Sequence, residues 1–123
     1  MAHLMLVMHA HLPFVRHPEY NHFLEENWLF EAISETYIPL LDTFDRLLQD
    51  NVQFKLTFSI SPTLAAMLED DLLSERYVDH LDRCIELGEK EVARTKNDPD
   101  FAPLARLYLE RYPGKVFRNL RIA

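Results

Sequence analysis

Residues 5–14 read Met5-Leu6-Val7-Met8-His9-Ala10-His11-Leu12-Pro13-Phe14. An apolar run passes into a His-x-His pair, and a proline stops it. Leu4 to Met8 is continuously apolar, which predicts a strand buried on both faces of a parallel sheet. Side chains alternate along a strand, so His9 and His11 point the same way, roughly 6–7 Å apart. Met5 and Val7 share that face, and Leu4, Leu6 and Met8 take the other. Pro13 has no backbone donor and marks the end of pairing. The stretch thus places two imidazoles at the carboxyl end of a first strand, where α/β folds put their sites.

Three readings of the pair are open on the residues alone. Histidines near a strand end can be structural hydrogen-bonders. Two neutral imidazoles on one face can share a metal ion. They can also bind a polar substrate such as a sugar, because each ring offers a donor and an acceptor.

Working outward, the totals narrow the class. A chain of 123 residues suggests one domain at most. A formal net charge of −7 with no basic run argues against a general nucleic-acid binder, which needs clustered Lys and Arg. Cys84 is the single cysteine, so no intrachain disulfide can form, which fits a reducing compartment. It sits in a helical apolar pattern and is expected to be a small buried hydrophobe. The amino terminus has neither a basic leader nor a small-residue cleavage site, and no stretch reaches transmembrane length. A soluble cytoplasmic protein that does not engage membranes is therefore expected. Two glycines leave no phosphate-cradling loop, so no nucleotide cofactor is expected.

Val15 to about Asn27 reads as a polar loop, with Arg16, His17, His22, Glu25 and Glu26. His17 and His22 are expected to be solvated. Trp28 follows, the single tryptophan. It is either a core or staple residue at a helix start or an aromatic platform for a sugar ring, and residue type alone favours the first. From Leu29 to Asp50, apolar residues at steps of three and four predict an amphipathic helix. Pro39 interrupts it, predicting a kink or two short helices with Pro39 opening the second. Asp50-Asn51 closes the element.

Phe54 to Ser61 alternates strictly and is the clearest strand. Phe54, Leu56, Phe58 and Ile60 face one way, and Lys55, Thr57, Ser59 and Ser61 the other. Pro62 starts a short helix through Met67 with Ser61 as its cap. Ser74 to about Lys96 predicts a long helix whose stripe is Leu73, Tyr77, Leu81, Ile85, Gly88 and Val92. Asp79 with Arg83 and Glu86 with Lys90 are spaced to pair on its wet face. Asn97-Asp98-Pro99 breaks it. A last helix is expected over Phe101–Tyr112, ended by Pro113-Gly114. Strand, helix, strand, then helices is the opening of a βαβα pattern with parallel strands. Two strands cannot cover two apolar faces, so the pattern predicts the beginning of a larger α/β domain.

The stretches His9-Ala10-His11-Leu12-Pro13-Phe14-Val15-Arg16 and Trp28 to Leu41 (Trp-Leu-Phe-Glu-Ala-Ile-Ser-Glu-Thr-Tyr-Ile-Pro-Leu-Leu) resemble the amino-terminal region of glycoside hydrolase family 57. The likeness continues through Leu56-Thr57-Phe58-Ser59-Ile60-Ser61-Pro62 and the helix containing Glu89-Lys90-Glu91. It is strongest to the family's 1,4-α-glucan branching enzymes. The resemblance implies an incomplete (β/α)7 barrel over residues 1–112, with 113–123 an irregular tail. It implies that His9 and His11 contact the donor sugar and that Trp28 helps hold an α-glucan such as glycogen or amylose. The family's retaining mechanism uses two carboxylates. None of the twenty acids here matches those motifs. On this reading the chain is an amino-terminal fragment with part of a sugar-binding wall, no catalytic residue, no metal and no cofactor. It is expected to be inactive alone. The alternatives are a fragment of a metal-dependent hydrolase using His9 and His11 as ligands, and a non-enzymatic α/β interaction module.

Overall fold

The structure is a computed structural model that describes residues 5–111. The expected irregular tail, the Pro113-Gly114 helix stop and Leu4 lie outside these residues. The chain divides into two compact units, Met1–Ser74 and Glu75–Ala123.

The first unit holds a two-stranded parallel sheet of β1 (Val7–Ala10) and β2 (Thr57–Ile60). Parallel strands need a long crossover. Here it is helical, α1 (Glu26–Ala32) running through a π-helical turn (Ile33–Tyr37) into α2 (Ile38–Gln49). The turn explains how one helical run tolerates Pro39. Proline cannot donate to the carbonyl four residues back, and its ring crowds that carbonyl. The turn widens instead, and the Ile38 amide donates to the Ile33 carbonyl, five residues back. The two helices predicted around Pro39 are thus joined. Asn51 ends α2 in the left-handed region at φ 57°. The Asn51 amide donates to the Leu48 carbonyl at 3.0 Å and the Val52 amide to the Leu47 carbonyl at 2.9 Å, which closes the helix end.

Both strands are shorter than the pattern predicts. β2 covers only Thr57–Ile60 of the alternating stretch Phe54–Ser61, and β1 is displaced towards the histidines. The expected burial on both faces of β1 is not found: Met5 is 81% and Val7 66% exposed, while Ala10 is buried. A strand is extended and covered only where partners stand beside it, and among the described residues each strand has one neighbour.

The core of this unit comes from Ala10, Val15, Leu29, Phe30, Leu64, Met67 and Leu73. Glu26 and Ser34 are buried with them. The apolar faces of α2 and β2 instead line an open cavity of about 370 Å³ with Tyr37, Phe44, Phe58, Ile60 and Leu64 among its walls.

After β2, α3 (Pro62–Leu68) begins as expected. Ser61 is extended, and its Oγ accepts from the Leu64 amide at 3.3 Å. Ser61→Ala is expected to cost about 1 kcal/mol in stability, measured by denaturant unfolding. Ser61→Asp should retain most of it.

The long helix α4 (Asp71–Arg94) starts earlier than the predicted Ser74. The reason is Asp70, whose Oδ1 accepts from the Leu73 amide at 3.0 Å and caps the first turn. In the second unit, Glu86 pairs with Lys90 as expected, whereas Asp79 and Arg83 do not pair. Tyr77 and Leu81 of the predicted stripe are buried. Gly88 marks a close approach, since a Cβ there would stand 3.1 Å from Leu109 Cδ1 on α5 (Ala102–Arg111). Asp98 starts α5 by accepting from the amides of Asp100 and Phe101 at 3.0 and 3.1 Å. Cys84 is half-buried rather than buried, with Sγ 3.5 Å from His80 Nε2. Desolvation raises its thiol pKa, against the lowering effect of Arg83. Among the described residues no helix is long and apolar enough to cross a membrane.

Candidate functional site

The β1–β2 register decides what surrounds the His-x-His pair. Val7 stands opposite Thr57, Met8 opposite Phe58, His9 opposite Ser59 and Ala10 opposite Ile60. Residues opposite one another on parallel strands share a face, so His9 meets the polar side of β2. Its Nδ1 lies 2.7 Å from Ser59 Oγ. His11, just beyond the strand, keeps the same direction. The two rings are nearly parallel at 9°, with centroids 6.0 Å apart. This is the shared face and spacing predicted from strand geometry. Another ring between them would need about 7 Å, two van der Waals contacts of ~3.5 Å. The pair therefore offers nitrogen edges to a ligand rather than a sandwich. Both histidines are exposed.

The segment that follows is tied to the start of α3. Thr63 Oγ1 donates to the Leu12 carbonyl at 3.1 Å and also lies 3.1 Å from Ser61 Oγ. The Val15 amide donates to Met67 Sδ at 3.3 Å in the buried core. Arg16 Nε donates to Asp70 Oδ2 at 2.6 Å. Three links from α3 and its flanks thus hold the chain just after the pair.

The loop beyond differs from the solvated segment expected. His17 is half-buried and its ring packs tilted at 35° against Phe23, with centroids 3.8 Å apart. Its Nδ1 lies 3.1 Å from Glu19 Oε1 and its Nε2 3.3 Å from Glu25 Oε2. Tyr20 packs on Phe23 with centroids 5.3 Å apart. An imidazole has an apolar body and two polar tips, so it can centre such a cluster. His22 is exposed, as expected.

Trp28 stands in the first turn of α1 and is 50% exposed. The core placement favoured by its residue type is not found. Its ring touches no other ring among the described residues, so the structure brings His9, His11 and Ser59 together but leaves Trp28 apart from them. Ser59 is the member of this cluster that the sequence did not single out. Its place on the polar side of β2 was legible, but the register that sets it against His9 was not.

Among the described residues no group of three or more His, Cys, Asp and Glu comes together to hold a metal ion. His9 and His11 alone fall short of the three protein ligands a catalytic zinc uses.

The sequence profile of glycosyl hydrolase family 57 matches residues 5–121. The chain belongs to this family. It is 36% identical over 116 residues to a 1,4-α-glucan branching enzyme of Thermococcus kodakarensis, covering 94% of this chain and 16% of that enzyme. Among solved structures, it resembles an α-amylase from Thermotoga maritima with a TM-score of 0.83 and 50% identity, covering 95% of this chain and 23% of that one. It also resembles a family 57 branching enzyme from Pyrococcus horikoshii with a TM-score of 0.85 and 28% identity, covering 96% and 22%. The chain therefore spans less than a quarter of the length of each of these three relatives.

Proposed function

We propose that this chain forms part of the donor-sugar wall of an α-glucan-acting family 57 enzyme, a 1,4-α-glucan branching enzyme, with glycogen or amylose as its partner in the cytoplasm. On this reading residues 1–112 are the amino-terminal portion of an incomplete (β/α)7 barrel. His9 and His11 hydrogen-bond sugar hydroxyls, and Trp28 is the aromatic platform that helps hold the glucan. The carrying observation is the pair itself: two exposed, parallel imidazoles at the carboxyl end of a parallel strand. Each neutral ring offers one donor and one acceptor, which suits a hydroxyl-rich ligand. The exposed indole of Trp28 is free to meet a sugar face.

Maltoheptaose titrated into the protein should shift the imidazole signals of His9 and His11. His9→Ala should weaken that binding about tenfold, the effect of one good hydrogen-bonding group. Unmoved imidazole signals at roughly millimolar sugar would overturn the reading. The retaining reaction needs two carboxylates, and no acid of this chain matches the family's catalytic motifs. The 123-residue chain alone should leave amylose unchanged, and time-dependent branching by it would refute that. The 50% identity to the Thermotoga maritima α-amylase favours a second reading, hydrolysis. The two differ in whether a sugar or water accepts the glucan. In the whole protein, new α-1,6 links without a rise in reducing ends would mark branching, and a rise in reducing ends alone hydrolysis.

A further inference from the structure

His9 and His11 look equivalent in sequence but are held differently. His9 Nδ1 is bonded to Ser59 Oγ at 2.7 Å. His11 has no side-chain hydrogen bond among the described residues. Extending the register would set Ser61 across from His11, but Ser61 Oγ is engaged with the Leu64 amide and Thr63 Oγ1 at the start of α3. Ser59 has no other side-chain partner among the described residues, so its hydroxyl serves His9 alone.

We propose that Ser59 is a positioning residue of the sugar site. Its hydroxyl fixes the His9 ring by Nδ1, so that Nε2 is the nitrogen presented to a glucan hydroxyl. The inference rests on the reading of His9 as a sugar contact. An exposed imidazole turns about a broad terminal torsion and exchanges its proton between two nitrogens. A bond at Nδ1 removes the rotation and leaves Nε2 with a defined role. When the serine O–H donates to Nδ1, the proton of the ring sits on Nε2 and donates to a sugar oxygen. When Nδ1–H donates to the serine oxygen, Nε2 accepts from a sugar O–H. The serine rotor accommodates both, which an acceptor-only carboxylate at that position would not. Holding the ring plane also keeps His9 parallel to His11, so both nitrogen edges meet the same ligand.

The test is a double-mutant cycle read in two ways on the protein labelled with 15N at histidine. Without sugar, Ser59→Ala should move the His9 ring-nitrogen signals and Ser59→Thr, which keeps the hydroxyl, should restore them. With maltoheptaose, Ser59→Ala should weaken binding about fivefold and Ser59→Thr stay within about twofold. In a His9→Ala background, Ser59→Ala should have no further effect, because a residue acting through His9 has nothing left to position. His9 signals that ignore Ser59→Ala, or equal weakening with and without His9, would overturn the proposal. Should His9→Ala leave maltoheptaose binding unchanged, the sugar role of both residues falls. The sugar-free signals would then show separately whether Ser59 holds the ring.

Discussion

Phe30→Ala is expected to lower stability by about 3–5 kcal/mol, the range for a large aromatic removed from a core. Phe30 has 0% exposure, and its neighbour Leu29 has 1%. Helix α1 is seven residues long and has no side-chain cap at its start. In a folded protein most helical stability comes from packing an apolar face rather than from propensity. What holds α1 is the burial of Leu29 and Phe30 in the core that this unit builds with Ala10, Val15, Leu64, Met67 and Leu73. Burying a phenylalanine side chain contributes roughly 1.5–3 kcal/mol by transfer, and the void left by truncation adds the remainder. Denaturant unfolding followed by far-UV circular dichroism measures the loss. A change below about 1 kcal/mol would mean that the site collapses around the missing ring. Loss of α1 would also release Trp28, one of the proposed glucan contacts, from its place in the first turn.

Asp70→Ala should cost about 2–3 kcal/mol, combining a lost helix cap with a lost charge-assisted bond. One carboxylate oxygen caps α4 through the Leu73 amide, and the other accepts from Arg16. The Asp70 and Arg16 side chains are 21% and 32% exposed, so solvent screens the pair only in part. Partial burial pushes the Asp70 carboxyl pKa up. The Leu73 amide, the Arg16 guanidinium and the Leu72 amide together outweigh it and hold the pKa below its ordinary value. A carboxyl depressed in the folded state binds fewer protons there than in the unfolded chain. Its stabilisation is therefore complete above the ordinary carboxylate range and is lost as the pH falls through the folded value. The stability gap between the protein and Asp70→Ala should be full at about pH 7 and close progressively below about pH 4. Asp70→Asn, which can still cap but carries no charge, should fall between the two. A gap that is the same at both pH values would show that the charge contributes nothing.

These two positions differ in how visible they are along the chain. Phe30 lies in a helical pattern, so its inward face was legible from spacing. Asp70 was not, because the helix that it caps was expected only from Ser74. The cap shows itself once the carboxylate is seen on the Leu73 amide.

Local pattern determined much of this molecule. The alternation through Thr57–Ile60, the Ser61-Pro62 helix start, the Asp50-Asn51 helix end and the common direction of His9 and His11 each depend on a few consecutive residues. Steric limits and side-chain period act at that range, so the order of residues suffices to read them. Tertiary structure alone decided which distant groups meet. Ser59 reaches His9 across 50 residues, and Asp70 reaches Arg16 across 54. The pleat tells which face Ser59 occupies, but any polar residue of that face could stand opposite His9 until the register is set. The placement of His17 is hidden for the same reason, since loop composition says nothing of a ring landing on Phe23 between two glutamates. The strand ends depart from the sequence pattern because a strand lasts only as far as its neighbours bond to it, and β2 carries β1 from Val7 to Ala10.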